Sequence, residues 1–431
     1  MSSPMLGLAG FLLTLALIGL GFPVAIAMAV VGLGGVMLVQ GWGQAAYVLS
    51  TSPFESIFPY SFSVIPLFVL MGVFAARAGL SRSLFELVNA FVGHWRGGLA
   101  VSTVGACAIF GAICGSSLAT VATIGRVAMP EMRRYGYDDS LSSAAVAAGG
   151  TLGVLIPPSI ILVIFGLLTQ TSIGQLFVGA IIPGLLGTVL YALAVMIRAR
   201  MRPDLAPRAD RVGWRSRVSL FGRVWPVLLL FFVVVGGIQL GWFSPTEAAG
   251  VGAVGAFLLA LIAGSITGPT LREIVRETAG LTGMIFLILI GASFFNFFLE
   301  TTGLPRMLAE SIGGSDLHPT MIMVLILLFY IVLGCFMDSM SMVLLTVPLL
   351  APVALALDYD MVWFGVLVVT VAEIGLITPP VGMNLFVVQG TVPGLKQATV
   401  VRGILPFVLA DIVRLALLVA FPVLTLWLAG R

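Results

Sequence analysis

The six residues Gly153–Pro158 (GVLIPP) recur as Gly375–Pro380 (GLITPP), 222 positions later in the chain. Each copy lies in a long apolar segment. A double proline breaks a helix there, because proline has no N–H to donate and disfavours the helical conformation of the residue before it. Further matches follow in chain order at shifts of 222 to 224 positions: Pro23 with Pro245, 78–82 with 302–306, Gly111 and Ser116 with Gly334 and Ser339, and 182–183 with 405–406. This ordered series predicts a duplicated unit.

The composition predicts that the duplicated unit lies in a lipid bilayer. The 431 residues are 60% apolar and 9% charged, with a mean hydropathy of +1.16, whereas soluble domains are about 25% charged. Long apolar runs separated by short polar stretches are typical of a polytopic helical membrane protein and not of a β-barrel. A soluble enzyme and a nucleic-acid-binding protein are therefore excluded, and the net charge of +3 indicates no acidic partner.

The repeat predicts two halves, residues 1–197 and 224–431, joined by an arginine-rich cytoplasmic loop, 198–223. In the first half we expect three helices, an interrupted hairpin, a broken helix and a closing helix: Pro4–Gly21, Pro23–Gln40, Phe54–Ala76, about 99–125, about 141–168 and Phe177–Ile197. The second half is expected to follow the same order: Val224–Leu240, Thr246–Ile266, Thr282–Leu299, about 320–357, about 361–392 and Gly403–Trp427.

The distribution of charge predicts the topology, because Lys and Arg collect in cytoplasmic loops. Basic residues flank both ends of the first hairpin, which indicates a re-entrant segment that enters and leaves on the cytoplasmic side. The second hairpin has only Arg306 before it and two aspartates after it, so we expect it to enter from the opposite side. Each half then crosses five times, and the second half is inverted. Eighteen of the 21 basic residues lie inside, whereas Arg306, Arg431 and both termini lie outside.

Paired broken helices in an inverted repeat indicate a secondary transporter with its sites near the bilayer midplane. Freed backbone groups are tolerated at that depth only where protein or water surrounds them. The positive ends of half-helices favour anions, and freed carbonyls suit Na⁺. Because the chain has few ionisable groups at that depth, sodium coupling is favoured over a proton relay.

Three motifs resemble those of a known family. Ile374–Leu385 (IGLITPPVGMNL), Ser244–Ala249 (SPTEAA), and Gly115–Ser117 followed by Gly153–Ser159 resemble the large membrane (M) subunit of DctM-like tripartite ATP-independent periplasmic (TRAP) transporters. The resemblance covers essentially the whole chain. It implies a multi-pass protein of the bacterial inner membrane, with the elevator architecture of the ion-transporter superfamily. It also implies sodium-coupled import of a small organic acid anion, with two or more Na⁺ ions transported.

The resemblance implies two partners besides the lipid bilayer. One is a periplasmic substrate-binding protein that delivers the anion. The other is a small membrane subunit, which we expect to be a separate chain.

Two sodium sites are expected where each hairpin tip meets a break, because hard cations take oxygen ligands. The first set of expected ligands comprises Gly111, Ser116, Gly153, Ile156 and Pro157. The second comprises Gly334, Gly375, Thr378, Pro379 and Asn384. The substrate is expected between the tips, in contact with Ser116, Ser117, Ser159, Asp338, Ser339 and Asn384.

The sequence leaves the role of two acids open. Asp338 and Glu373 stand in apolar surroundings, where an acid serves ion coupling or hydrogen-bonds to neighbouring backbone. Asp411 and Arg414 are expected to pair on one helix.

The main alternative function is that of a sodium/carboxylate symporter that needs no binding protein. A passive channel suits two half-sites less well. An intramembrane serine hydrolase at Ser116 would need a nearby base, and both histidines lie in predicted loops, so we expect no enzyme.

Overall fold

The computed structural model describes residues 3–209, 211–314 and 316–430. Within these residues the ordered elements are all helical, which confirms the all-α fold class. Eight helices of the described residues are long and apolar enough to cross a membrane. The charge pattern assigns Arg431 to the outer side of the membrane. Arg431 is not among the residues that the structure describes.

The first half contains ten α-helices and a short 3₁₀ segment, Tyr60–Ser63, between the third and fourth of them. The α-helices are α1 Ser3–Gly19, α2 Val24–Gln40, α3 Trp42–Ile57, α4 Val64–Arg77, α5 Leu80–Val92, α6 Gly98–Cys114, α7 Ser117–Arg134, α8 Asp139–Leu155, α9 Ile160–Thr169 and α10 Ile173–Met201.

The second half follows after a 3₁₀ turn, Pro203–Leu205, and its elements come in a similar order. Its α-helices are α11 Trp214–Gln239, α12 Pro245–Ile262, α13 Gly268–Thr302, α14 Leu304–Gly313, α15 Pro319–Gly334, α16 Ser339–Ala356, α17 Met361–Ile377, α18 Met383–Thr391, α19 Gln397–Ala420 and α20 Val423–Leu426. The pairs α6/α7 and α15/α16 occupy the predicted hairpins, and α8/α9 and α17/α18 occupy the predicted broken helices.

Several predicted boundaries differ from the structure: the expected helix Thr282–Leu299 is the longer α13, and the expected Gly403–Trp427 is divided between α19 and α20. The segment Phe54–Ala76 is not one helix but the end of α3 and the whole of α4, because Pro59 donates no backbone hydrogen bond and has a non-helical ψ of 131°. The predicted loop 198–223 is shorter in the structure, because α10 continues to Met201 and α11 already begins at Trp214. Arginine is a good helix former, and its long side chain reaches the interface from a helix end.

The motif Ser244–Ala249 is explained by the start of α12. The Ser244 hydroxyl accepts a hydrogen bond from the Glu247 amide at 3.3 Å, and the Glu247 carboxylate accepts one from the Ser244 amide at 2.7 Å. This capping box satisfies backbone donors that the first turn of a helix leaves free. The motif therefore begins a helix and contributes no residue to the cavity described below.

The helices pack in two neighbourhoods that meet around the hairpin tips. In one, α2 packs on α13 and α4 packs on α12. In the other, α6 and α7 pack on α8, α15 and α16 pack on α17, and α18 packs on α7. Helix α13 also contacts α16, and α4 contacts α6. The tips and the breaks are thereby brought together in the interior of the protein.

Candidate functional site

Each hairpin tip is a tight break between two helices. After α6, Gly115 has a φ of +63°, a left-handed conformation that glycine adopts without steric cost. Ser116 then caps α7 by accepting a hydrogen bond from the Ala119 amide at 3.4 Å. At the second tip the capping residue is Asp338, whose carboxylate accepts from the amides of Met340 at 3.1 Å and Ser341 at 3.0 Å.

The double prolines lie at the two predicted breaks. Pro157 and Pro158 follow the end of α8, and Pro379 and Pro380 follow the end of α17; both Pro–Pro bonds are cis. The prolines cannot donate to the carbonyls four residues before them, among which are those of Gly153 and Gly375. In the second half the Gly375 carbonyl accepts from the Thr378 amide at 3.2 Å instead.

A pair of glycines joins each tip to its break. A Cβ built on Gly111 would lie 2.3 Å from the Cα of Gly153, and one built on Gly375 would lie 2.4 Å from the Cα of Gly334. Helix backbones are in direct contact at both crossings, so only glycine fits. The structure thus brings together the glycines of each expected sodium site.

A cavity of about 280 Å³ lies where both tips, both breaks and helices α4 and α13 meet. Its wall includes the first residues of four helices: Ser117 of α7, Ile160 of α9, Ser339 of α16 and Met383 of α18. Helix N-termini carry partial positive charge, so this arrangement favours an anion. None of the described lining residues is Lys, Arg or His.

The acids of the cavity wall already have partners. Glu277 of α13 forms an ion pair with Arg77 of α4, at 3.2 Å between Nη2 and Oε2. Asp338 caps α16 and also accepts from the Ser341 hydroxyl. Asp338 therefore accepts hydrogen bonds from neighbouring backbone amides, which is one of the two roles that the sequence suggests for it. By contrast, the buried Ser339 hydroxyl has no hydrogen-bond partner among the described residues.

Of the six expected substrate contacts, four line the cavity, namely Ser116, Ser117, Asp338 and Ser339. Ser159 and Asn384 do not line it. Ser159 is fully buried and caps α9 by accepting from the Leu162 amide at 3.2 Å.

Asn384 differs most from its expected position. Its amide group contacts the Ser117 hydroxyl, at 3.0 Å from Oδ1 and 2.7 Å from Nδ2, and Nδ2 donates to the Ala147 carbonyl at 2.9 Å. Asn384 therefore joins the second broken helix to the first hairpin and to α8, across the two halves. The Thr378 hydroxyl, expected beside it, donates to the Ile374 carbonyl at 2.6 Å.

A buried ion network lies one turn before the breaks. Arg414 Nη2 is 2.7 Å from Glu373 Oε2 and 2.9 Å from Asp411 Oδ1, which confirms the expected pairing of Asp411 with Arg414. The Tyr191 hydroxyl donates to Asp411 at 2.5 Å and lies 3.2 Å from the Thr151 hydroxyl. All five side chains are fully buried.

Sequence reasoning missed Tyr191 and Thr151 as members of this network. The repeat contained a signal that points to them, because Thr151 is equivalent to Glu373 at a shift of 222, and Tyr191 to Arg414 at a shift of 223. Equivalent positions of the two halves thus hold a neutral polar pair in one half and an ion pair in the other.

The hydrogen-bond partners of the two serines at the first tip bear on the serine-hydrolase alternative. The Ser117 hydroxyl donates a hydrogen bond to Asn384, and the Ser116 hydroxyl accepts one from the Ala119 amide. Among the described residues, no histidine hydrogen-bonds to either serine hydroxyl.

Two solved structures with a similar fold are described as a transporter and as a member of a class of efflux pumps. The Alcanivorax borkumensis YdaH transporter aligns with a TM-score of 0.64 at 16% identity, over 88% of this chain and 89% of that one. MtrF of Neisseria gonorrhoeae, described as belonging to a class of antimetabolite efflux pumps, aligns with a TM-score of 0.60 at 12% identity, over 90% and 85% of the two chains. At these identities the likeness concerns the fold alone.

Sequence relatives are more specific. The C4-dicarboxylate TRAP transporter large permease protein DctM of Pseudomonas aeruginosa is 36% identical over 88% of both chains. The ectoine permease TeaC of Halomonas elongata and the sialic acid permease SiaM of Vibrio cholerae are each 33% identical over 96% of both chains. The family model for the DctM component of the tripartite ATP-independent periplasmic transporters matches residues 11–424. The chain therefore belongs to the DctM family, the large permease subunits of TRAP transporters.

Proposed function

We propose that this permease imports a small organic acid anion together with Na⁺, and that the body containing the hairpins and broken helices moves as an elevator. The observation that carries the proposal is the cavity between both tips and both breaks, with four helix N-termini and the unpartnered Ser339 hydroxyl in its wall. Fixed N–H dipoles and hydroxyls suit a carboxylate. Bound Na⁺ would supply the cationic charge that the wall lacks.

Membership of the family establishes the general function of the chain. The chain is a membrane permease and not an enzyme, and it works in the inner membrane with a small membrane subunit and a periplasmic substrate-binding protein. Transport is therefore secondary and depends on the binding protein.

Sodium coupling is supported by the geometry of the tips and breaks. The glycine crossings bring the backbone of each tip into direct contact with the backbone that leads into its break. Carbonyl and hydroxyl oxygens are suitable ligands for a hard cation. We assign the first sodium site to Gly111, Ser116, Gly153, Ile156 and Pro157. We assign the second to Gly334, Gly375, Thr378 and Pro379, and we leave out Asn384, because its amide group hydrogen-bonds to Ser117 and Ala147 of the first half.

The identity of the substrate is the first experimental question. The named relatives carry different compounds, C4-dicarboxylates, ectoine and sialic acid among them. A thermal-shift screen of the partner binding protein against organic acids would name the compound for this system. A monocarboxylate or dicarboxylate hit supports the proposal, and a binding protein that responds only to uncharged compounds contradicts it.

Uptake of that compound is expected to require both the binding protein and an inward Na⁺ gradient. We expect proteoliposomes with the permease and its small subunit to accumulate the compound under these conditions. Replacement of Na⁺ by K⁺, or omission of the binding protein, should reduce uptake at least tenfold. Undiminished uptake without the binding protein would identify a self-sufficient symporter, and undiminished uptake in K⁺ would exclude sodium coupling.

Elevator movement predicts that residues at the tip change sides of the membrane. In a background without the three native cysteines, Leu118→Cys at the first tip should become accessible to a membrane-impermeant thiol reagent from the opposite side when Na⁺ and substrate are added. Leu281→Cys, on the cavity-facing side of α13, should keep its accessibility, because that helix belongs to the other neighbourhood. Parallel changes at both positions would argue against an elevator.

A further inference from the structure

An arginine side chain is held between two aromatic rings at the start of α11. The guanidinium carbon of Arg217 lies 5.3 Å from the ring centroid of Phe91 and 5.9 Å from that of Trp214. The two rings meet edge to face, with centroids 6.4 Å apart. At such distances the face of an aromatic ring attracts a cation. The guanidinium is therefore fixed at the junction of α5, which ends one residue after Phe91, and the first turn of α11.

The protein leaves the hydrogen-bonding capacity of Arg217 unused. Its side chain forms no hydrogen bond or ion pair with a described residue, and its Nε is buried without a partner. A guanidinium has five N–H donors in a planar fork that fits the oxygens of a phosphate. Because an N–H removed from water without an acceptor costs free energy, this position favours an anion that the described residues do not supply.

Further positive charge surrounds the same corner of the protein. The Ala209 amide donates to the carbonyl of Gly93 at 3.4 Å, which places the segment between α10 and α11 beside the end of α5. Four exposed arginines of this corner form no ion pair with a described residue: Arg96, Arg208, Arg211 and Arg215. The charge pattern assigns this corner to the cytoplasmic side. An anion that arrives there meets no competing carboxylate on these five arginines.

An exposed apolar stripe runs along α11 from the turn that holds Arg217. Helix α11 is long and apolar enough to cross a membrane. The members of the stripe recur every three or four residues, so they share one face of the helix. They are 48–69% exposed: Trp214, Val218, Phe221, Trp225, Leu229 and Phe232. Tryptophan is typical of the depth at which lipid headgroups lie, so the stripe suits an acyl chain and its start suits a headgroup.

We propose that Arg217 binds the phosphate of an anionic phospholipid at the junction of α5 and α11. The phosphate accepts hydrogen bonds from the guanidinium, the neighbouring arginines attract the headgroup, and an acyl chain lies along the stripe. A zwitterionic phospholipid binds less well, because its own ammonium group is repelled by the arginines. The lipid holds the end of α5 against α11. Since α5 leads from α4 to α6 and the first hairpin, it steadies the element that joins the hairpin to α4.

The test counts the lipids that remain bound to the purified complex of permease and small subunit, by native mass spectrometry. The delipidated complex is titrated with dioleoyl phosphatidylglycerol and, separately, with dioleoyl phosphatidylcholine. We expect a saturable phosphatidylglycerol site on the wild-type complex and weaker binding of phosphatidylcholine. Arg217→Gln removes the charge and most of the fork, and it should raise the half-saturating phosphatidylglycerol concentration about fivefold.

Two further variants separate this site from a general effect of charge. Arg272→Gln removes an exposed arginine of α13 that has no ring contact and no ion pair among the described residues. It should leave half-saturation within about twofold of wild type. Arg217→Lys keeps the charge but loses the planar fork, so we expect binding about two- to threefold weaker than wild type. If Arg217→Gln is not recovered as a folded complex, this lysine variant provides the measurement.

The outcomes also distinguish a lipid from other occupants. Unchanged phosphatidylglycerol binding in the Arg217 variants, or equal binding of the two lipids, overturns the proposal. Inorganic phosphate added at constant ionic strength should not displace the lipid; displacement would identify a site for a free anion instead. Loss of the small subunit from the Arg217→Gln complex, with lipid binding unchanged, would show that a protein covers this face and would equally overturn the proposal.

Discussion

Replacing Gly375 by alanine is expected to abolish uptake. The added Cβ would lie 2.4 Å from Cα, 2.5 Å from the carbonyl carbon and 2.7 Å from the carbonyl oxygen of Gly334. These are backbone atoms of α15 and have no rotamer by which to move away, so the two helices must separate. Overpacking of this kind typically costs about 1–3 kcal/mol, and the separation would also displace the carbonyls of the break by a fraction of an ångström.

The measurements are the apparent melting temperature of the purified complex and uptake of the compound that the binding-protein screen identifies. Gly153→Ala, the equivalent change in the first half, should behave in the same way, since its Cβ would lie 2.7 Å from Gly111 Cα. Gly283→Ala in α13 is the matched control, because a Cβ there meets nothing within 4 Å. Normal uptake by Gly375→Ala would mean that the close crossing is not needed for transport.

Replacing Arg414 by methionine is expected to cause the largest loss of stability. The variant would leave two fully buried carboxylates, Glu373 and Asp411, without their shared cation. Removal of one partner from a buried ion pair typically costs about 3–5 kcal/mol. We expect little properly folded protein in detergent, and for any that is recovered a strongly lowered melting temperature.

The exposed pair of Arg306 and Glu310 provides the control. Their side chains are 85% and 65% exposed, so Arg306→Met should leave the melting temperature unchanged, because water already solvates both charges. Equal behaviour of the Arg306 and Arg414 variants would show that the buried network contributes nothing to stability.

The resemblance of the motifs to TRAP permeases is confirmed by the family model and by the relatives. The helix breaks were also predicted correctly, because their cause is covalent: a proline lacks an N–H wherever the chain carries it. The charge-based topology, the inverted repeat and the sodium ligands remain predictions.

Side-chain partners were predicted less well. Asn384 was expected as a ligand of the second sodium site, whereas its amide group hydrogen-bonds to Ser117 and Ala147 of the other half. Glu373 was recognised as a costly acid without its partner, and Tyr191 and Thr151 were overlooked. Only Asp411 and Arg414, three residues apart on one helix, were paired correctly, because that spacing alone brings side chains together.

The sequence by itself determined where the backbone is interrupted and that the chain belongs in a bilayer. These properties follow from proline chemistry and from the scarcity of charge. Only the tertiary structure decided which way each helix faces. Helices such as α8 and α17 are buried on nearly all sides, so they have no exposed polar face opposite a buried one. Their orientation is set by contacts such as the glycine crossings and the Glu373–Arg414 pair, which join residues far apart along the chain.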